Sequence, residues 1–222
     1  MNPLKRLLPS GRRPRRVLTG LLRGIRLELD LRAGDLQLWA GLYERETFGA
    51  IRRLAENCRG ALDLGAAHGE LVAWLLRQPG MDRVLAVEPD QGALRRLGET
   101  LALNGLAGDP RCHLHRGFAG RGEPPQWRSL DDLAASLPEP IFVKIDIDGP
   151  ESEVLSTGRD MLRRRECRVL IETHSPAAEA GCVDQLTAAG YRVTIIPNAW
   201  WRRIIPEHRP IPHNRWLAAR RP

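Results

Sequence analysis

The sequence predicts an α/β domain built on a doubly wound, mostly parallel sheet, and three observations predict it. Short apolar runs alternate with amphipathic stretches of helical period. One run, Ala61–Gly69, carries Asp63, Gly65 and Gly69, and a second, Val84–Glu88, ends in an acid about twenty residues later. In an open parallel sheet, ligands bind beyond the carboxyl ends of the strands, where glycine admits a close backbone approach and a terminal carboxylate grips a ribose. The spacing fits a βαβ unit that holds a nucleoside.

The elements follow in order. Leu42, Phe48, Ile51, Leu54 and Ala55 recur at helical period, so a helix over 42–57 leads into a first strand at 61–66 and covers the ligand pocket. A helix over 70–77 stops at Pro79–Gly80, a second strand takes 83–88, and a helix over 91–103 stops at Asn104–Gly105. Strands are expected near 111–116, at 141–147, 168–174 and 191–196, with helices over 151–164 and 178–189 between them. A last strand over 215–219 follows a Pro-rich loop at 197–214. Strands alternating with helices require crossover connections, hence a sheet covered on both faces. The 222 residues suit one such domain, and no apolar run reaches the length of a membrane span. The expected division is a basic arm over 1–40 and the α/β domain over 41–222, whose residues 197–222 form a Pro-, Trp- and Arg-rich loop and the last strand.

The glycines read Asp63-x-Gly65-x-x-x-Gly69, with Ala66, Ala67 and His68 between them, and this is not the Gly-x-Gly-x-x-Gly that cradles a diphosphate. With Glu88–Pro89 ending the next strand, the pattern resembles the first two motifs of class I S-adenosylmethionine-dependent methyltransferases. Further on, Val143–Glu151 with Val154–Leu155, and Val169–His174, resemble the signature block of FkbM-type methyltransferases, as do Ser129–Leu133 and Gly190–Tyr191. The resemblance covers roughly residues 40–196. It departs from the family at Ala67, His68, Asp148 and Pro150, where Asn, a small or β-branched residue, Glu and Ala are usual.

The resemblance implies a Rossmann-like sheet with a reversed last strand and S-adenosylmethionine as cofactor. Asp63, Gly65, Ala66 and Gly69 would then form the loop under its methionine part, with His68 facing either the methionine carboxylate or solvent. Glu88, beside Pro89, would hold the ribose hydroxyls. Gly117 and Phe118 would stand at the adenine, although Phe118 suits core packing equally. It also implies methyl transfer, usually to a hydroxyl of a sugar, glycan or natural product.

Such a transfer needs in-line alignment and, for an alcohol, one base. Lys144, Asp146 and Asp148 share a face of the 141–147 strand if it stays regular, and Glu172 and His174 share a face at the end of the next. Neighbouring strands are about 4.8 Å apart, so all five converge. Asp146 is the central catalytic candidate, as base or as orienting group with Lys144 keeping it ionised. His174 is the alternative base. A further alternative makes Asp146, Asp148, Glu172 and His174 the ligands of a divalent metal, and the plainest makes Lys144, Asp146 and Glu172 a structural ion-pair network.

Charge is uneven. Residues 1–32 hold nine basic residues against Glu28 and Asp30, which accounts for the whole net charge of +7. Leu4, Leu7, Leu8, Val17, Leu18, Leu21, Leu22 and Ile25 fall partly at helical spacing, so a basic amphipathic arm is expected. It would lie on an anionic membrane surface, contact a polyanion through residues 2–24, or pack on the domain as an added helix, and its removal is expected to spare cofactor binding. Against nucleic-acid base methylation stand the absence of an Asn/Asp-Pro-Pro-aromatic motif and the neutral remainder of the chain. A non-catalytic cofactor-binding module using the arm is the rival reading. Cys58, Cys112, Cys167 and Cys182 form no Cys-x-x-Cys pair, as expected of a cytoplasmic protein, peripheral at the membrane if the arm binds there. Trp200, Trp201, Arg202, Arg203, His208, His213 and Trp216 make an aromatic, basic tail, suited to a carbohydrate platform, to base stacking or to closing a small core.

Overall fold

The computed structural model describes residues 8–203 and 213–222. Strands β1 (Arg13–Arg16) and β2 (Arg26–Leu29) form an antiparallel hairpin, followed by a wide turn at Leu31–Asp35 and helices α1 (Leu36–Ala40) and α2 (Phe48–Ala55). Then come β3 (Gly60–Leu64), α3 (Glu70–Leu75), β4 (Arg83–Val87), α4 (Gln91–Leu103), β5 (Cys112–His115), the short β6 (Phe118–Ala119) and β7 (Trp127–Arg128), and α5 (Leu130–Ala134). The chain continues through β8 (Ile141–Ile145), α6 (Glu151–Leu155), α7 (Arg159–Arg164), β9 (Cys167–Thr173), α8 (Pro176–Ala188), β10 (Arg192–Ile196) and β11 (Arg215–Arg220).

Seven strands form the central sheet in the order β10-β11-β9-β8-β3-β4-β5, with β11 antiparallel to both neighbours and β9-β8-β3-β4-β5 parallel throughout. The expected doubly wound sheet with a reversed last strand is therefore observed. Apolar residues alternate along β3 and β8 to feed both faces. Ala61 and Phe142 enter the core under α2 and α3, while Leu62, Val143 and Ile145 enter the one under α5–α8. Strands buried on both sides read as continuous apolar runs, which made them easy to place.

Two expectations are corrected. The 151–164 helix is broken into α6 and α7 at Gly158, whose φ of −111° and ψ of 34° leave the helical range and which packs so closely on Leu130 of α5 that a Cβ there would stand 2.9 Å from the Leu130 Cβ. The described part of the basic arm is not an amphipathic helix. Its Pro14 and glycines Gly11, Gly20 and Gly24, all three with positive φ, suit a hairpin, and Val17, Leu21, Leu22, Ile25, Leu27 and Leu29 are buried in the same core as α2. Asn104, just after α4, clamps β2 from both sides, its Oδ1 accepting from the Arg26 N–H at 3.0 Å and its Nδ2 donating to the Arg26 carbonyl at 2.7 Å. Residues 2–7 of the expected arm lie outside the described residues. In the tail, Trp216 is buried, as the core-closing reading required, and Trp200 is exposed. Arg215 pairs with Glu179 at 2.7 Å, with His213 beside it. His208 and the side chains of Trp201 and Arg203 lie outside the described residues.

Candidate active site

The carboxyl ends of β3, β4, β8 and β9 open into one cleft of about 410 Å³. After β3 the chain turns at Gly65, whose φ of 75° and whose contact with the Asp146 carbonyl oxygen both exclude a side chain. The loop then brings the Ala67 N–H to Glu88 Oε2 at 3.0 Å, while the Asp90 N–H donates to Oε1 at 2.9 Å. Each oxygen of this mostly buried carboxylate thus spends one lone pair on the backbone and keeps another for a ligand in the cleft. Pro89, Gly117 and Phe118 line the same wall, and Phe118 stacks on Trp127 with ring centroids 4.7 Å apart. A pinned carboxylate beside a half-exposed aromatic platform fits an adenosine, so the residues present fit S-adenosylmethionine.

The opposite wall is charged. Strand β8 ends at Ile145, earlier than expected, and Asp148 has a left-handed φ of 53°, so the regular alternation from Lys144 does not continue. The groups converge nonetheless. Lys144 Nζ lies 3.2 Å from Asp146 Oδ2 and 3.4 Å from Asp63 Oδ1, and donates to the Gly65 carbonyl at 3.3 Å. His174 Nε2 faces Asp148 at 3.4 Å, Glu172 at 3.8 Å and Asp146 at 3.9 Å, and its Nδ1 is 2.6 Å from Glu151 Oε1.

Burial would raise the Asp146 carboxyl and lower the Lys144 ammonium, but their mutual attraction wins in both cases: Asp146 is held below the usual carboxylate range and Lys144 above the usual lysine range. Burial likewise opposes protonation of His174. The hydrogen bond and charge of Glu151, with Asp146 and Asp148, outweigh it and hold the imidazole above its ordinary value. Asp63, 1% exposed, is pushed up to about 6 by burial.

Of the residues expected at the site, Gly65, Glu88, Pro89, Gly117, Phe118, Asp146, Asp148, Glu172 and His174 line the cleft. Asp63, Ala66 and Lys144 line a smaller chamber behind it, together with Gly65 and Asp146. Two residues of the glycine loop stand elsewhere. His68 lines a narrow crevice with Leu27, Leu29 and Arg96, where burial lowers its affinity for a proton, and Gly69 sits behind the loop against Leu97. Sequence reasoning missed Tyr43, Trp127, Glu151 and Asn214. Glu151 stood inside the quoted signature, three residues after Asp148, and an acid at the start of a helix was its only signal. Nothing in a Pro-rich loop announces Asn214. Among the described residues, two groups hold donor atoms within 4.8 Å of one another, Asp146–Asp148–His174 and Glu44–Asp146–Glu172, a spacing compatible with a metal ion.

A seven-stranded sheet with one reversed strand, and a glycine turn and a backbone-pinned carboxylate at its carboxyl edge, define a class I methyltransferase fold. Residues 63–193 match the methyltransferase FkbM domain, and the chain belongs to that family. Among solved structures, the methyltransferase FkbM from Methylobacillus flagellatus KT is similar at 22% identity and a TM-score of 0.58, over 73% of this chain and 44% of that one. This chain therefore spans less than half the length of that protein. An rRNA methylase from Streptococcus thermophilus is similar at 15% identity and a TM-score of 0.55, over 80% and 97% of the two chains. Precorrin-6y C5,15-methyltransferase from Geobacter metallireducens GS-15 is similar at 16% identity and a TM-score of 0.52, over 79% and 88%. At such identities the likeness shows the fold alone. No curated protein matches the chain.

Proposed function

We propose that the chain transfers the methyl group of S-adenosylmethionine to a hydroxyl of a sugar, glycan or natural product. The observation that carries this reading is the Glu151–His174 pair at the wall opposite Glu88. With Nδ1 engaged by a fully buried carboxylate, Nε2 is the imidazole nitrogen that faces the cleft. When bound, the cofactor supplies an electrophilic methyl group on a sulfonium. The protein's own tasks are then alignment and one proton. Glu88 binds the ribose diol and Phe118 the adenine. Asp146, kept ionised by Lys144, orients the acceptor hydroxyl, His174 Nε2 takes its proton, and Asp148 and Glu172 stabilise the resulting imidazolium.

Calorimetry with S-adenosylmethionine and S-adenosylhomocysteine tests the cofactor assignment. Both are expected to bind, and Glu88→Ala to weaken both by about tenfold or more, the loss of a charge-assisted contact to the diol. Binding of neither at millimolar concentration, with binding of a nicotinamide dinucleotide, would overturn it. Transfer of a labelled methyl group to a panel of hydroxylated acceptors tests the acceptor class. The spacing of Asp146, Asp148 and His174 favours a second reading of the same cluster, as ligands of a divalent ion that lowers the acceptor pKa. Activity abolished by a chelator and restored by magnesium or manganese would select it over the base. The exposed arginines of the hairpin suit an anionic membrane surface or polyanion on the cytoplasmic side, which salt-sensitive cosedimentation with anionic vesicles tests. Among the described residues no helix is long and apolar enough to cross a membrane.

A further inference from the structure

Two residues that line the cleft, Tyr43 and Asn214, lie outside the span that matches the FkbM domain. Glu88 and Phe118 on one wall, and Asp146, Asp148, Glu172 and His174 on the other, all lie within it. What the flanks add is therefore particular to this chain, and Asn214 adds it beside His174.

Register places it there. Strand β11 runs antiparallel to β9, with Trp216 opposite Glu172 and Arg215 opposite Thr173, so Asn214, one residue ahead of the strand, comes abreast of His174. Alternation puts Asn214 and Trp216 on the face that carries Glu172 and His174, and directly opposed residues stand about 5 Å apart at Cβ. Trp216 fills the core, whereas Asn214 lines the cleft and is only 7% exposed. Among the described residues its carboxamide has no hydrogen-bond partner. A polar group so deeply buried asks for one, and the cleft is where it can meet it.

The neighbouring groups narrow the chemistry of that partner. Around His174 Nε2 stand Asp148, Glu172 and Asp146 at 3.4, 3.8 and 3.9 Å, and carboxylates only accept hydrogen bonds. Asn214 brings two uncharged N–H donors to this wall. An anionic partner would be repelled by the acids, so an uncharged oxygen is the group those donors suit. We propose that Asn214 Nδ2 donates to a second hydroxyl of the acceptor, on the carbon next to the one whose oxygen is methylated, and so selects vicinal diols. The assignment rests on the hydroxyl-acceptor reading above and deepens it. With the reacting oxygen at His174 Nε2, the short span between opposed residues brings the amide to a hydroxyl on the adjacent carbon. A few such placed polar groups are what orient a ligand in a pocket.

Labelled methyl transfer by the full chain tests this on methyl glucoside, methyl galactoside, methyl mannoside and trans-cyclohexane-1,2-diol, each beside the counterpart that lacks the hydroxyl next to the methylated oxygen. Asn214→Ala is expected to lower kcat/KM on the best diol by about tenfold, mostly through KM, and on its deoxy counterpart by less than about twofold. Affinity for S-adenosylhomocysteine should stay within about twofold, and an unchanged melting temperature checks the fold. Asn214→Asp keeps the shape but exchanges the donor for an acceptor, and should show the same selective loss. An unchanged kcat/KM on the diol overturns the assignment. So does an equal loss on both acceptors, which would make Asn214 a group that merely shapes the wall, and so does weakened S-adenosylhomocysteine, which would make it part of the cofactor site. If the unaltered protein binds S-adenosylmethionine yet methylates none of the probes, the acceptor reading itself fails, a result distinct from these.

Discussion

Deleting residues 2–24 tests whether the N-terminal segment is an appendage or part of the domain. The deletion removes Val17, Leu21 and Leu22, which are 1%, 5% and 7% exposed. At about 1.5–3 kcal/mol for each fully buried aliphatic side chain, the loss is about 5–9 kcal/mol. It also removes the strand that pairs with β2 from Arg13↔Leu29 to Arg16↔Arg26, and the Thr19 hydroxyl that donates to the Ala40 carbonyl at 2.6 Å. Because whole domains are stable by only about 5–15 kcal/mol, the truncated chain is expected to unfold at or near room temperature. Cofactor affinity would fall with it, contrary to the expectation that removal of the arm spares cofactor binding. Urea denaturation followed by far-ultraviolet circular dichroism reads the effect, and Leu22→Ala gives a graded version costing about 2–5 kcal/mol. A truncated protein with the full-length midpoint, binding S-adenosylhomocysteine equally well, would refute the reasoning.

Two further outcomes are expected. Asp146→Asn keeps cofactor affinity within a few-fold but lowers turnover by about 10²–10⁴, as loss of a base or its orienting partner does, and normal turnover with and without added metal would make the cluster structural. Because His174 must be neutral to accept a proton and its partners hold it above the ordinary imidazole value, kcat should rise with pH through a limb above about 6.5. Glu151→Gln removes the negative charge that raises it, so that limb should move to lower pH; a limb that stays in place excludes His174 as the titrating group.

Legibility in the sequence followed the locality of the signal. Helix α4 begins and ends where expected because its punctuation is local: the Asp90 carboxylate caps the Ala93 N–H at 2.7 Å, and Asn104–Gly105 stops it. Glu88, Asp146, Glu172 and His174 were legible because strand periodicity and the parallel-sheet rule carry them to one edge. What was not legible depends on contacts between distant parts of the chain. The break at Gly158 lies against Leu130, the hairpin is held by Asn104, and Tyr43 and Asn214 reach the cleft from segments whose own composition says only turn or loop.

The strand order carries a consequence for the birth of the molecule. Strand β11 lies between β9 and β10, so the edge of β9 beyond Glu172 and His174 stays unpaired until residues 215–220 have left the ribosome. Up to that point Trp216, which pairs opposite Glu172, is missing from the core beneath the cleft. Contacts so far apart in sequence form late and slowly. The glycine loop and its acids, although already synthesised, thus reach their final geometry only once β11 has closed that edge.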